Sequence, residues 1–276
     1  MSARIRPSLA VLLLFFFVVP AALAAASGEN TLMVNGIAAP KALFASGQAP
    51  GKVSEDILAA MLGIPYRIDG AVNEQGQFTL FADQKQRFSS PGLNCSGFVL
   101  EASRLLLGHN FSLDAVMRDR LGDSGPGAPD GQDWDFGWDL IMNISEPFAR
   151  NMLLPGHASM DPAASTGFGP RGFDTNDPAT WEELPGRLRP GFLYLASFSA
   201  ESRRKGYTLQ HYHVGLIHVD ARGRAWYYHT TGKNSKSNRQ DLNSPQGRAA
   251  FQKAFSPSKG KRKYMCIIEL PLAPRP

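Results

Sequence analysis

Cysteine is nearly absent: a chain of 276 residues holds only two, Cys95 and Cys266. That excludes a small disulfide-scaffolded fold and a four-cysteine zinc site. Beyond Val19 no apolar run is long enough to cross a bilayer, so nothing downstream of the N-terminus resembles a transmembrane helix. Internal repeats and coiled-coil heptads are missing too, which argues against solenoids and fibrous assemblies. A large excess of one sign of charge is missing as well. The formal net charge is +5, a balance that does not call for nucleic acid. The densest basic cluster, Lys259 to Lys263, lies between Ser/Pro-rich residues and a final strand and reads as a solvated loop.

What the chain does have begins at its N-terminus. Arg4 and Arg6 precede an unbroken apolar stretch from Leu9 to Val19, which ends in the small residues of Pro20 to Ser27. This is the pattern of a secretory signal peptide, with small-x-small sites for cleavage after Ala24 or Ala26; an uncleaved N-terminal anchor is the alternative, against which no stop-transfer flank follows the run. No cysteine lies near the cut, so a lipid anchor there is not expected. Removal of residues 1–26 leaves 250 residues with 27 Lys and Arg against 24 acids, a net charge of +3. The expectation is an exported protein, periplasmic or extracellular, with one domain over 27–276 and no stable membrane insertion after cleavage. The sequence says nothing about oligomeric state.

In an oxidising compartment, a Cys95–Cys266 disulfide is the first alternative to weigh. Cys266 lies in YMCIIELP, where alternation puts Cys266, Ile268 and Leu270 on one face and Glu269 on the other, as in a half-buried strand. It reads as a small core residue. Cys95 has a different setting. A helix is predicted from Cys95 to Leu107, because Phe98, Val99, Ala102, Leu105 and Leu106 recur on one face and Gly108 terminates it.

Other helices are predicted after Ser54, with Glu55 and Asp56 in the first turn, near 112–121, near 138–153 and over 245–255. Residues 27–50 read as loosely structured, and 109–190 as a loop-rich insertion. Strands are predicted at Phe78 to Ala82, Phe192 to Phe198, His211 to Val219, Ala225 to Thr230 and Tyr264 to Leu270. Helices first and antiparallel strands later argue an α+β fold.

A thiol attacks as thiolate, and a helix N-terminus offers backbone N–H groups and a positive dipole end to that anion. Cys95 sits there. Ser96 and Gly97 add little bulk, so a carbonyl can approach the turn closely, with the Ser96 backbone N–H serving an oxyanion hole. The strongest base candidate is His213 in HVGLIH. Period two puts His211, His213, Gly215 and Ile217 on one face and Tyr212, Val214, Leu216 and His218 on the other. A hairpin turning at Gly223 would bring His229 beside His213 to fix its tautomer.

These residues resemble the NlpC family of cell-wall cysteine peptidases, which have a papain-like fold. Gly63-Ile64-Pro65-Tyr66-Arg67 is similar to the family's "GxPY" segment, and Asn94-Cys95-Ser96-Gly97-Phe98-Val99 to its "DCSGxV" nucleophile motif. Further on, Arg189-Pro190-Gly191-Phe192-Leu193-Tyr194 resembles "xPGDLV", His213-Val214-Gly215-Leu216-Ile217 resembles "HVGIY", and Tyr228-His229 resembles "IH". The landmarks keep the family's order across about 54–230, interrupted by two insertions. Asn94 and Phe192 stand where the family usually has Asp.

The resemblance implies a papain-like NlpC-type domain, with the nucleophile helix packed on an antiparallel sheet and a large insertion after it. Cys95 would be the nucleophile, His213 the general base and acid, His229 the residue that orients His213, and Tyr66 the hydroxyl beside the nucleophile. The reaction would be acyl transfer to water through a thioester, cutting D-glutamyl to diamino-acid bonds in peptidoglycan peptides. No cofactor and no metal is called for. Two other readings fit the same residues: a cell-wall binding module that has lost turnover, and a thiol hydrolase or transferase for another amide or ester.

Other residues have blander readings. His211 and His218 read as surface or core histidines. His109 and His157, with Asp123, Asp130, Asp133, Asp135 and Asp139, show no zinc or EF-hand spacing and read as solvated loop groups. Trp134, Trp138 and Trp181 fit either a groove wall or the core.

Overall fold

The computed structural model describes residues 31–34, 37–40, 50–122, 134–169, 171–202, 208–232, 234–255 and 261–272. The predicted leader, Asp123, Asp130, Asp133 and Lys259 lie outside them. Strands β1 (Thr31–Val34) and β2 (Ile37–Pro40) form an antiparallel pair in the stretch read as loosely structured. Helix α1 (Pro50–Ala60) follows, and then the short ribbon β3 (Gly70–Val72) and β4 (Phe78–Leu80). Helix α2 (Cys95–Leu107) has the predicted bounds, closed by Gly108 at φ 66° in the left-handed region that suits glycine.

The segment 109–190 holds α3 (Leu113–Val116), α4 (Phe136–Ser145), β5 (Asn151–Leu153), β6 (Ser159–Met160), β7 (Phe173–Asp174) and α5 (Pro178–Arg187). The rest runs through β8 (Phe192–Glu201), β9 (Leu209–Val219), β10 (Ala225–His229), β11 (Asn238–Asp241), α6 (Pro245–Ala254) and β12 (Lys263–Pro271). The main sheet has eight strands in the order β11-β10-β9-β8-β12-β5-β6, with β7 also paired to β12, and its ladders are antiparallel. The fold is α+β, and no helix among the described residues is long and apolar enough to cross a membrane.

Several expectations are corrected. Helix α1 starts at Pro50, not after Ser54, so Glu55 and Asp56 are not in its first turn. Proline suits a first turn because the N–H it lacks would be unpaired there. The helix expected over 138–153 ends at Ser145, as Pro147 follows and cannot continue the ladder. Residues 151–153 instead form β5, paired with β12. The segment 109–190 is therefore built into the fold: it supplies α4 to the core and three strands to the sheet.

Each sheet face buries its own core. Helices α1, α2 and α4 cover one face, where Leu58, Phe98, Val99, Leu140 and Ile141 meet Leu195, Val214, Leu216, Cys266 and Ile268. Helices α5 and α6 cover the other, where Trp181, Leu184 and Phe251 meet Tyr194, Phe198, Ile217 and Tyr227. Trp134, Trp138 and Trp181 are buried at 2%, 2% and 8% exposure, which puts them in packing and not on a groove wall.

Candidate active site

Helix α2 begins at the thiol. Asn94 is the N-cap, and its Oδ1 accepts the Gly97 N–H at 2.7 Å while its own N–H donates to the Gly70 carbonyl at 3.0 Å. A cap needs an oxygen acceptor, which Asn supplies without a charge. Gly97 is required by close approach: a Cβ there would overlap the Gly70 carbonyl oxygen and lie 3.1 Å from Ala71 Cα. The first turn of α2 is thus pinned to β3.

Cys95 and Cys266 are both free of any disulfide. Cys266 is buried in β12, its sulfur 3.9 Å from Met152 Sδ, and burial pushes its thiol up to about 12. Cys95 is only partly buried as a residue. Burial of its sulfur nevertheless raises the thiol above its ordinary value, against the opposing pull of the Val214 N–H, the Ser96 hydroxyl and the N–H groups of Ser96 and Cys95. Desolvation of the sulfur thus opposes the anion that the helix terminus favours. A neutral thiol needs a base. The Ser96 N–H faces the sulfur from the turn, where an oxyanion would form.

Tyr66 lies beside this sulfur. Its backbone bridges Leu93 and donates to the Ser235 carbonyl at 2.9 Å. Burial, then the charges of Cys95 and Asp69, raise its phenol above the ordinary tyrosine range. A groove of about 580 Å³ opens along Pro65, Tyr66, Arg67, Phe88 and Lys236.

The base candidates sit on β9, and a bulge changes their faces. Phe198 pairs with His213 and Ser199 with His211, so Tyr212 is skipped. His211 consequently joins the Val214 face: a Cβ on Gly137 of α4 would meet Val214 Cγ1, Ser197 Oγ and His211 Cβ together. This corrects the unbroken period-two assignment, which put His211 with His213. The His211 Nε2–H donates to the Gly167 carbonyl at 3.1 Å, leaving Nδ1 to accept from the Ser197 hydroxyl at 2.9 Å, and burial holds the ring down to about 4.

His213 and His229 do meet, Nε2 to Nδ1, at 3.1 Å. Their rings are packed by Phe198 and Phe255, with the Phe255 centroid 5.4 Å from His213 and 5.9 Å from His229. Burial and the neighbouring His229 hold His213 well below 6.5, and burial holds His229 down to about 4. The imidazole of His213 lies on the α6 face, whereas α2 packs on the opposite face. The thiol reaches the strand at the Val214 N–H, one residue along the chain from His213. Among the described residues no hydrogen bond joins Cys95 Sγ to His213, and His213 Nδ1 carries none.

Two neighbours of the thiol escaped sequence reasoning. One is the Val214 N–H. The other is the Tyr227 hydroxyl, which burial, then Cys95 and Tyr212, raise well above the ordinary range. It fills the space that a side chain on Gly215 would take, so Gly215 in HVGL was its only trace in the sequence. His109 packs at a tilt against Phe111 with ring centroids 4.4 Å apart, and the His157 backbone N–H donates to Glu183. Among the described residues no group of three or more His, Cys, Asp or Glu side chains is placed to hold a metal. Compared with known proteins, the chain matches no family model, no curated protein and no solved structure at a significant level.

Proposed function

We propose that the protein is an exported cysteine hydrolase of the NlpC type, with a papain-like arrangement, that cleaves amide bonds in peptidoglycan peptides. The observation that carries this reading is the wiring of His213. Its Nε2 is engaged by His229 Nδ1 at 3.1 Å, no described residue bonds its Nδ1, and the next residue's N–H faces the Cys95 sulfur. That pattern suits a base held in one tautomer, with the proton on Nε2 and a lone pair on Nδ1.

The resting pair is neutral, since burial raises the thiol and lowers the imidazole. As sulfur attacks the carbonyl carbon, the Cys95 proton goes to a base and the carbonyl oxygen takes up negative charge near the Ser96 N–H; for His213 to be that base its Nδ1 must swing from the α6 face to the Cys95 sulfur, since the two share no hydrogen bond in the resting fold. His213 then returns that proton to the departing amine, leaving a thioester on Cys95. Water attacks the thioester with His213 again as base; the acid product leaves and the thiol is restored. Tyr66 borders the reacting atoms, and His229 keeps the ring of His213 in register. A signal peptide over residues 1–26 suits a cell-wall substrate.

Incubation of the mature protein with muropeptides should release a peptide whose mass marks the cleaved amide, and Cys95→Ala should abolish that product. Identical products from both proteins would refute the hydrolase. A cell-wall binding module would instead give no product from either, with peptidoglycan pull-down unaffected by Cys95→Ala.

A further inference from the structure

The bond between His213 and His229 can run in either direction. A neutral imidazole carries one N–H, so the contact of His213 Nε2 with His229 Nδ1 at 3.1 Å can hold its proton on either ring. Only with His213 as donor does His213 Nδ1 keep a lone pair. The direction is therefore set at the far nitrogen of the pair, His229 Nε2. That nitrogen is buried, and no described residue meets it at hydrogen-bonding geometry in the resting fold.

Asn238 stands at that end. It is the direct partner of His229 across the β10–β11 ladder, and directly opposed residues share a face of the sheet. Its Nδ2 donates to the Lys236 carbonyl at 3.1 Å, a contact open to the amide nitrogen and closed to its oxygen, so Oδ1 is the end left for the ring. That oxygen favours a proton on His229, against the burial that opposes one. Asn238 is exposed and His229 is buried, so the amide is the partner with room to close the contact. The Lys236 carbonyl is itself held in place. Lys236 bridges Pro65, the Ser237 N–H donates to the Ile64 carbonyl at 2.8 Å, and Ser237 Oγ accepts the Ile64 N–H at 2.8 Å and donates to the Met61 carbonyl at 2.6 Å. The segment that carries Tyr66 thus fixes the loop that aims Asn238.

We infer that Asn238 is a positioning residue for His213 that acts through His229. Asn238 Oδ1 accepts the His229 Nε2–H, which makes His229 Nδ1 an acceptor, puts the His213 proton on Nε2 and leaves His213 Nδ1 able to take one up. The consequence for turnover rests on the hydrolase reading; the order of the protons along the two rings does not.

Isotope labelling of the histidine nitrogens, with long-range proton–nitrogen correlation near neutral pH, reads the protonated nitrogen of each ring without substrate. Signals lost in His213→Gln and His229→Gln assign the two rings. Wild type should carry both protons on Nε2. Asn238→Ala should mix the tautomers of both rings together, and Asn238→Asp, which keeps an oxygen acceptor, should restore them. Asn238 is exposed, so neither substitution disturbs the core. On muropeptides, Asn238→Ala should lower kcat by about two- to tenfold, the scale of one hydrogen bond, with KM little changed and Asn238→Asp closer to wild type. A wild-type His229 protonated on Nδ1, or tautomers that Asn238→Ala leaves unchanged, overturns the inference. Mixed tautomers with an unchanged kcat overturn the positioning role. Ordered tautomers in a wild type that cleaves no muropeptide refute the hydrolase and leave the order of the protons standing.

Discussion

The two faces of the main sheet each bury a pair of histidines, and the pairs are wired differently. On the α2 face, His211 commits both ring nitrogens, to Ser197 Oγ and the Gly167 carbonyl, whereas both ring nitrogens of His218, buried near Glu55 and Asp220, have no hydrogen-bond partner among the described residues. On the α6 face, His213 bonds only through Nε2 among the described residues. A buried imidazole can move a proton only where a nitrogen is left for it, so depth alone does not separate a clip from a base. The largest expected effect follows from that contrast. His213→Ala should lower kcat/KM on muropeptides by about 10²- to 10⁴-fold, the usual scale of a lost general base. His229→Ala should fall between that and wild type. His211→Ala should lower stability while leaving turnover per folded molecule nearly intact; an equal loss for His211 and His213 at matched folded fractions would break the comparison.

What the faces share gives the next effect. His211, His218 and His229 are held down to about 4 and His213 well below 6.5, in each case first by burial. A lowered histidine stays neutral in the fold while the unfolded chain takes up its proton. The stability is thus fully present above about pH 6.5 and is lost as pH falls toward 4, at about 1.4 kcal/mol per pH unit for each ring. Urea unfolding between pH 7 and 5 should report an uptake approaching four protons, one for each of these rings. An uptake near zero would mean that the rings are charged inside. The same shift puts the acid limb of kcat/KM below pH 6.5, since His213 acts as base only when neutral.

The sequence was most legible where the determinants are local. Helix α2 could be bounded because its apolar stripe and Gly108 lie within one segment. The neighbourhood of His213 and His229 was legible because a short turn joins their strands. The Tyr212 bulge was not, because period two assumes an unbroken ladder and the skip depends on which β8 residue sits opposite. Strand β5 was hidden for a related reason: three residues acquire a strand's character only by pairing with β12, more than a hundred positions later. The thiol shows the same divide. Its helix terminus is written beside it, but the burial that desolvates its sulfur arises only in the folded packing. Arg67 was visible inside GIPYR, whereas its slot depends on Gly70 and Gly92 folding back on it.

The smallest expected effect isolates the α2 face and sharpens the balance at the thiol. Asn94→Ala removes the bond to the Gly97 N–H and should cost about 1 kcal/mol of stability. Asn94→Asp keeps the acceptor and adds a negative charge at a helix start, worth about 0.3–1 kcal/mol in favour of the fold. That charge also stands next to a sulfur whose anion is already disfavoured by burial. Asn94→Asp should therefore be at least as stable as wild type in urea and yet alkylate more slowly with iodoacetamide at fixed pH, because its thiol is raised further. The proton uptake on unfolding contributed by His213 and His229 should not change, as both rings pack against Phe255 on the opposite face. Faster alkylation in the aspartate variant would mean that the helix terminus, and not desolvation, governs Cys95.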